Sequence, residues 1–328
     1  MFKGVLWCTG KVLAGAMRRW TDQAALLLLL ALLIDPAERA EAGSIVYVGK
    51  NPDGPNQVAA YLQDPASGAL SLLGLYPTGG QGRRSVHGNS SHALVSDGAF
   101  LFVVNSGDDT VSSFRISAGG LLDWVGRYSS GGRVPVSLAL REQVLMVLNQ
   151  GSVSDGSPGS LSAFRVAADG TLSPLPGTHP EFPPAALPVE VLATPLDGLI
   201  GISLHDAGTF ELFRLGNEGI RQTSSVRTGS PPYGGATWSS HAAGADRSPL
   251  GDLFLITLDD PVRPGIATIK STSSGLLSRF HRNRRPNLVD PCWAVVDPSG
   301  KRLWISSFAT RILSLYRLEG QGKFQWVS

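Results

Sequence analysis

Three residues near the starts of predicted strands could carry out acid–base chemistry: His92, Arg133 and Glu190. A histidine or a glutamate can take a proton from water, and a guanidinium can stabilise the oxyanion that forms when water attacks an ester carbonyl. We therefore predict His92 or Glu190 as the base and Arg133 as the oxyanion partner of a hydrolytic site. The alternative is structural: Glu190 would pair with a neighbouring arginine, and His92 would be a hydrogen-bonded strand residue.

Further polar and aromatic residues fall in the same kinds of segment, either before an innermost strand or between a second and a third strand. Loops of this kind, held by a rigid scaffold, often form binding sites. Asn105 and Asn149 could instead bond to their own turns. The candidate binding residues are Asn105, Asn149, His205, Asp206, Trp238, His241 and Trp293.

Two pairs of adjacent carboxylates suit a calcium ion, which prefers several oxygen ligands. They are Asp108-Asp109 and Asp259-Asp260, and neither lies in a D-x-D-x-D-G loop. The six histidines are scattered without zinc-site spacing. We predict no cofactor, with a divalent cation such as calcium left as an open alternative.

The elements that must position these residues are strands. Two short apolar runs, Phe100–Val104 and Val111–Ile116, are separated by turn-forming residues, and this unit recurs along the chain. Each unit carries a glycine followed closely by leucine or isoleucine. The six marker glycines are separated by 45 to 56 residues; they are Gly68, Gly120, Gly170, Gly219, Gly275 and Gly320. Four strands in each period of about 50 residues predict a β-propeller.

The predicted fold is therefore all-β, with six recognisable four-stranded repeats. The first repeat begins at Ile45–Val48, which aligns with the second strand of the later repeats, so it lacks an innermost strand. The fifth repeat is expected to open at Gly235–Trp238. The chain ends at Trp326–Ser328, in the outer strand of the sixth repeat. Three interpretations remain open: a truncated product, an unusual closure, or a second chain that covers the gap.

Charge and cysteine content narrow the classes of function. Charged residues make up 16% of the 328 residues, below the roughly 25% of ordinary globular proteins. A net charge of +2 gives no electrostatic reason to expect nucleic acid as a partner. The two cysteines are Cys8 and Cys292, and loss of the N-terminal segment would leave one buried thiol. We expect a monomer whose channel face binds a small molecule or a protein.

Residues 1–43 have the pattern of a secretory signal peptide. The apolar run Ala24–Ile34 follows Arg18 and Arg19, and a small-residue site at Ala40–Ala42 predicts cleavage after Ala42. Met17 is an alternative start, which would make the first sixteen residues a spurious extension. Residues 44–328 would then form an exported propeller domain, periplasmic or secreted, with no membrane span. The alternative is a membrane anchor formed by an uncleaved signal.

The chain resembles the lactonase family of β-propellers, which includes 6-phosphogluconolactonase and carboxymuconate cyclase. The resemblance covers essentially Ser44 to Ser328. The motifs that carry it are Val46-Tyr47-Val48-Gly49, Ser96-Asp97-Gly98, Phe102-Val103-Val104-Asn105, Gly131-Gly132-Arg133-Val134-Pro135, Asp169-Gly170-Thr171-Leu172 and Trp293-Ala294-Val295-Val296-Asp297-Pro298. The family fold has seven blades, so the resemblance implies a propeller short of its last blade.

The resemblance implies a hydrolase acting on a small lactone or cyclic acid. Active members use a histidine, a glutamate and an arginine at the channel mouth, in a paired-histidine run and a Gly-Pro-Arg-His motif. Neither motif is present: the fourth repeat opens with Leu187-Pro188-Val189-Glu190 and the fifth with Gly235-Ala236-Thr237-Trp238. No catalytic residue is carried over by motif. A non-enzymatic ligand- or protein-binding propeller, or a truncated member without activity, is the alternative.

Overall fold

The computed structural model describes residues 43–84, 92–177, 179–194, 198–216, 219–238, 253–272, 274–285, 288–319 and 323–328. The predicted signal peptide, apart from residue 43, and the candidate His241 lie outside the described residues.

The chain divides into two compact units. Of the described residues, the first contains 43–46 and Tyr61–Leu72. In this unit the amide of Gln63 donates to the carbonyl of Ser44 at 2.8 Å. The carboxylate of Asp64 accepts the amide of Ser67 at 2.6 Å and so closes a tight turn.

The second unit consists of Tyr47–Ala60 and Leu73–Ser328. The described sheets are antiparallel, and their strands pair in chain order except that the short β12 (Glu181–Phe182) of the third sheet pairs with β10 (Gly159–Val166). The first three sheets of the chain contain β1 (Ile45–Gly49), β2 (Gly54–Gln63) and β3 (Leu70–Gly82); β4 (Leu94–Ser96), β5 (Phe100–Asn105), β6 (Thr110–Ile116) and β7 (Leu122–Ser129); and β8 (Pro135–Arg141), β9 (Val144–Asn149), β10 (Gly159–Val166), β11 (Leu172–Pro174) and the short β12 (Glu181–Phe182).

The last three sheets have four strands each. They contain β13 (Pro188–Ala193), β14 (Leu199–Leu204), β15 (Thr209–Gly216) and β16 (Gly219–Arg227); β17 (Pro232–Trp238), β18 (Leu253–Leu258), β19 (Gly265–Ser271) and β20 (Leu277–Arg284); and β21 (Pro291–Val296), β22 (Arg302–Ser307), β23 (Ile312–Glu319) and β24 (Lys323–Trp326). Two 3₁₀ turns, Ala118–Gly120 and Pro184–Ala186, also occur in the described residues.

The predicted all-β propeller with six repeats is confirmed, and in the part of the chain that the structure describes the sheet of the first repeat has three strands, without the innermost one. The marker glycines explain why the repeat is visible in the sequence. Gly170 and Gly275 have φ of 87° and 83°, in the left-handed region that glycine adopts without a steric cost. The turn between the third and fourth strands therefore selects glycine in the five repeats whose marker glycine lies among the described residues.

Five buried apolar clusters join neighbouring sheets. Phe102 of the second sheet, for example, packs in one cluster with Leu145 and Phe164 of the third. Similar clusters join the first sheet to the second, the third to the fourth, the fourth to the fifth and the fifth to the sixth. Sheet-on-sheet packing of this kind gives one core that continues through successive repeats.

One predicted boundary is wrong: the fifth sheet opens at Pro232, not at Gly235. Gly234 and Gly235 lie inside β17, where they resemble a turn in sequence but serve close packing. A Cβ on Gly234 would lie 2.2 Å from the carbonyl oxygen of Cys292 in the next innermost strand. Trp238 is consequently the last residue of β17 and lies at the opposite end from the channel mouth at which it was predicted.

Candidate functional site

The innermost strands of the third to sixth sheets begin in the same way. Each starts with proline, and the register with the second strand shifts immediately afterwards. The four prolines are Pro135, Pro188, Pro232 and Pro291. Proline is tolerated at the first position of a strand because its missing N–H is not needed there. The shift is a β-bulge, which redirects the side chains that follow it.

The residue before three of these prolines has a left-handed backbone: φ is 57° at Val134, 50° at Leu187 and 52° at Asp290. This conformation is unfavourable for a non-glycine residue, so the surrounding contacts must hold it. Those contacts come from the loop between the second and third strands of the same sheet. Its amides donate to the carbonyls of Val134 from Gln150 at 2.8 Å, of Leu187 from His205 at 3.0 Å and of Asp290 from Phe308 at 3.0 Å. The two sets of loops are therefore fixed to each other at the channel mouth.

The bulge after Pro188 places Glu190 where it contacts His92. The carboxylate of Glu190 is fully buried and its Oε1 lies against Nδ1 of His92 in a very short contact. His92 precedes β4 of the second sheet, and its carbonyl accepts the amide of Leu138 in the third sheet at 2.8 Å. Two of the three predicted catalytic residues, which are 98 positions apart, are thus brought together.

The Glu190 contact changes the acid–base behaviour of His92. Burial alone lowers the pKa of the imidazole, but the charge of Glu190 and its hydrogen bond raise it by more. The net result is a pKa above the ordinary value of a histidine, which is about 6.5. With Nδ1 facing the carboxylate, Nδ1–H donates to Glu190, and Nε2 is the nitrogen that can accept a proton.

His92 also lines a cavity of about 410 Å³ between the innermost strands of the second to sixth sheets. The walls are mostly aliphatic, and Leu94, Leu140 and Val191 are among the lining residues. The side chain of His92 is 35% exposed. A base that borders such a cavity can meet a small molecule, and the buried Glu190 lies against this base.

A second histidine, His205, lies between two carboxylates. Its Nδ1 is 2.6 Å from Asp206 and its Nε2 is 3.5 Å from Asp259. Burial lowers the pKa of His205, but the hydrogen bonds to Asp259 and Asp206 and their charges raise it overall. Both ring nitrogens face carboxylates, so His205 is held in place by its partners.

The sequence analysis missed Tyr233. Its ring stacks edge-on against His205, with centroids 5.6 Å apart, and the residue is 8% exposed. Burial raises the pKa of the Tyr233 phenol, and the nearby charges of Asp259 and Glu190 raise it further. The hydroxyl therefore stays protonated. In the sequence, Tyr233 is marked by its position directly after Pro232. Val189 has the same position after Pro188, one residue before Glu190.

Cys292 holds that same position in the sixth sheet, after Pro291. Burial and the neighbouring Asp290 raise the pKa of its thiol to about 12. The thiol therefore remains protonated at neutral pH and is not a nucleophile.

Arg133 lies in a different network from His92 and Glu190. Its guanidinium pairs with Asp109 at 3.0 Å and with Asp155 at 3.3 Å, and its side chain is 55% exposed. Asp109 also accepts the amide of Val134 at 2.7 Å. These contacts tie Arg133 to the loops of the second and third sheets.

The two predicted asparagines are buried. The amide nitrogen of Asn105 donates to Ser112 at 2.8 Å, and its oxygen accepts Thr78 Oγ1 at 2.7 Å. Asn149 donates to the carbonyl of Ser130 at 3.3 Å. Such contacts support the structural alternative for these residues.

The two predicted tryptophans lie at different ends of their strands. The indole nitrogen of Trp238 donates to the carbonyl of Gly300 at 2.8 Å, which links the fifth sheet to the sixth away from the channel mouth. Trp293 is the third residue of β21 and lies near the mouth, and its buried Nε1 has no hydrogen-bond partner among the described residues.

The carboxylate pairs considered for calcium have protein partners. Asp108 pairs with Arg127 at 2.9 Å, and Asp260 accepts Ser230 Oγ at 2.5 Å. Among the described residues there is no group of three or more His, Cys, Asp or Glu side chains that could hold a metal ion. The same residues contain no helix long and apolar enough to cross a membrane.

The described sheets and the mouth between them define the class of protein: a β-propeller with a histidine–glutamate pair at its channel. The family described as "Lactonase, 7-bladed beta-propeller" matches residues 40–175. These residues are therefore similar in sequence to the lactonase-family propellers. No significant match was found among curated proteins.

Solved structures share the fold. A protein from Lactobacillus plantarum has a TM-score of 0.66 and 16% identity, with 88% of this chain and 82% of that one covered. The periplasmic gluconolactonase of Pseudomonas aeruginosa has a TM-score of 0.61 and 18% identity, with 87% and 81% covered. At these identities the likeness concerns the fold alone.

Proposed function

We propose that this propeller hydrolyses a small lactone in the cavity between the innermost strands, with His92 as general base and Glu190 as the group that orients it. The observation that carries the proposal is the contact between the buried carboxylate of Glu190 and a histidine that borders the cavity. The family and the gluconolactonase named among the structural neighbours support this substrate class.

In the proposed reaction, Nε2 of His92 takes a proton from water as the water oxygen bonds to the lactone carbonyl carbon. Glu190 fixes the Nδ1–H tautomer and stabilises the imidazolium that forms. The ring C–O bond then breaks, and the imidazolium returns the proton to the leaving alkoxide oxygen. The product is the open-chain hydroxy acid. The whole sequence consumes one water and leaves the histidine neutral.

The oxyanion needs a hydrogen-bond donor or a cation. Arg133 remains the predicted partner, since it lies at the entrance of the third sheet, but two aspartates bind it. Tyr233 keeps its proton and feels the charge of Glu190, so its hydroxyl is the second donor we propose for this role.

The test is a hydrolysis assay on glucono-δ-lactone with the purified chain and its His92→Ala, Glu190→Ala and Arg133→Ala variants. His281→Ala is the matched control, because His281 is exposed on β20. We expect turnover that falls with His92→Ala and Glu190→Ala and is unchanged in the control. Equal turnover by the parent and His92→Ala would overturn the assignment of the base.

The second candidate function is non-enzymatic binding of a small molecule or protein at the channel face. The cavity walls favour it, because most of the lining side chains are aliphatic and offer apolar contact. Saturable binding of a lactone or its hydroxy acid without turnover, abolished by filling the cavity with a tryptophan at the half-buried lining residue Thr237 (Thr237→Trp), would support this function over hydrolysis.

We also propose that the chain is exported, with cleavage after Ala42. The apolar run Ala24–Ile34 and the name of the periplasmic neighbour support export. N-terminal sequencing of the protein recovered from cell fractions tests it. A mature chain that begins at Gly43 outside the cytoplasm is expected, and an intact N-terminus on a membrane-bound chain would contradict it.

A further inference from the structure

A second cavity, of about 470 Å³, lies between the third and fourth sheets. It is at the end of the strands away from the channel mouth, since Arg141 at its edge is the last residue of β8 and Pro135 at the mouth is the first. A cavity of this volume can hold a small organic molecule. We call it the lateral cavity; its walls include Arg141, Val144, Met146, Ile200 and Leu215.

Two other interfaces between sheets are closed at the position of the lateral cavity. There the marker glycine of one sheet covers the first residue of the second strand of the sheet before it. A Cβ on Gly170 would lie 2.4 Å from the ring of Phe100, and a Cβ on Gly275 would lie 2.8 Å from the side chain of Leu199. Phe100 and Leu199 are consequently buried, at 7% and 0% exposure.

The interface of the third and fourth sheets lacks this cover. Val144 is the first residue of β9 and so corresponds to Phe100 and Leu199. The marker glycine of the fourth sheet is Gly219, and the atoms nearest to a Cβ built on it belong to Gly177. Val144 is smaller than phenylalanine and only half-buried. The space that a ring and a turn fill between the second and third sheets is therefore open here.

The inner wall of the lateral cavity is apolar. Met146 and Ile200 are 2% and 1% exposed and belong to the buried cluster that joins the two sheets. Val144 and Leu215 pack against that cluster and are partly buried. A ligand with an apolar part would gain free energy by leaving water for this wall, and the flexible Met146 side chain can adapt to its shape.

The guanidinium of Arg141 provides a charged group at the edge of the cavity. A Cβ on Gly198, which precedes β14, would lie 2.8 Å from its Nη1, so the guanidinium lies beside the backbone of the fourth sheet. The side chain is 24% exposed, and its ion pair with the 82% exposed Glu142 is long, at 3.8 Å, and therefore weak. A guanidinium has five N–H donors in a planar fork, so Arg141 can bind a carboxylate while it keeps contacts within the protein.

A second arginine, Arg214, also lines the cavity. It is the direct cross-strand partner of Arg221 on β16. Like charges that lie opposite each other on adjacent strands repel and destabilise the pair. An anion bound beside Arg214 lowers this repulsion, because its attraction to both guanidinium groups opposes it. The second arginine thus independently favours a negatively charged ligand.

We propose that the lateral cavity binds an amphipathic monocarboxylate, with the carboxylate on the guanidinium of Arg141 and an aliphatic body against Met146 and Ile200. The apolar wall disfavours a sugar or a sugar phosphate, because hydroxyl groups placed there would lose water without gaining partners. The site is separate from the one proposed for hydrolysis and does not depend on it, although Ala193 lines both cavities.

NMR of the full chain with ¹³C-labelled methionine methyl groups tests the site, with octanoate as the probe. The chain has three methionines, and Met146→Leu identifies the signal of Met146. We expect octanoate to shift this signal saturably, and affinity to rise about fourfold for each methylene buried between butanoate and octanoate. Octanol has the same chain without the charge and should bind about tenfold more weakly or worse. A Met146 signal that octanoate leaves unchanged would overturn the proposal.

Variants separate the role of the charge from that of the apolar wall. Arg141→Gln should weaken octanoate about tenfold or more, because it removes a charge-assisted hydrogen bond. Val144→Phe should close the cavity and abolish binding; Arg141→Gln removes no core side chain and tests the site even if Val144→Phe does not fold. Arg227→Gln is the matched control, since Arg227 is exposed at the mouth end of β16. Equal octanoate affinity in the parent and Arg141→Gln would overturn the assignment.

Discussion

The two histidines at the mouth have similar partners but different surroundings. His92 faces one carboxylate that is wholly buried, whereas His205 lies between Asp206 and Asp259, whose side chains are 54% and 27% exposed. A buried carboxylate interacts strongly with a neighbouring imidazole because little water screens the charge. The exposed pair is screened and is worth less. The same residue types therefore form an acid–base centre in one place and a loop anchor in the other.

The largest expected effect is on hydrolysis by His92→Ala. Loss of a general base costs about 10²- to 10⁴-fold in rate. Steady-state turnover of glucono-δ-lactone measures it, and an equally large loss in His205→Ala would break the distinction between the two histidines.

Glu190→Gln sharpens the comparison through the pKa of His92. The variant keeps a hydrogen-bond acceptor but removes the charge that raises this pKa, so we expect the pKa to fall. We also expect a stability loss of about 1.5–3 kcal/mol, the range for hydrogen bonds to charged groups. NMR titration of the imidazole and urea unfolding measure the two effects. An unchanged titration would mean that the Glu190 charge does not act on His92.

The pH dependence of stability follows from the sign of the shift. The folded-state pKa of His92 is raised, so the stabilisation from its pairing with Glu190 is fully present below the unfolded-state pKa of about 6.5. It is lost as pH rises through the folded-state pKa. The difference in unfolding free energy between the parent and Glu190→Gln should shrink over this window. A difference that grew with pH would contradict the raised pKa.

The smallest effect is expected from His205→Gln. A partly exposed pair contributes about 0–1 kcal/mol, and glutamine keeps a polar group near Asp259. Thermal unfolding measures this change. A loss of unfolding free energy as large as that of Glu190→Gln would show that the exposure of Asp206 and Asp259 does not weaken their interaction with the imidazole of His205.

The sequence predicts the fold well because glycine is required at each repeat. Gly170 and Gly275 adopt left-handed backbones that other residues avoid, so their spacing is visible in the chain. The same residue type misleads at Gly234 and Gly235, where the requirement is close approach to Cys292 and not a turn. Local sequence does not distinguish these two uses of glycine, and this is why the strand that contains Trp238 was misplaced.

Individual site residues can be predicted, but their pairing cannot. His92 and Glu190 are visible as polar residues near strand starts, yet their contact spans 98 positions and depends on the bulge after Pro188. Arg133 also lies near the start of a strand, but it forms ion pairs with Asp109 and Asp155 and not with Glu190. The packing of adjacent sheets determines which carboxylate contacts which base. A local sequence pattern does not contain this information.

The proline and bulge that recur at the channel mouth determine which side chains there can be substituted. The second residue after the proline is Ser137, Glu190, Gly234 or Trp293 in successive sheets, four chemically unrelated side chains on one backbone frame. The positions differ in how freely they can vary: a Cβ on Gly234 would meet the carbonyl oxygen of Cys292, and the hydroxyl of Ser137 accepts the amide of Val191 at 3.1 Å. Single replacements at Glu190 or Trp293 could therefore change the substrate preference while the proline and the bulge keep the backbone in place.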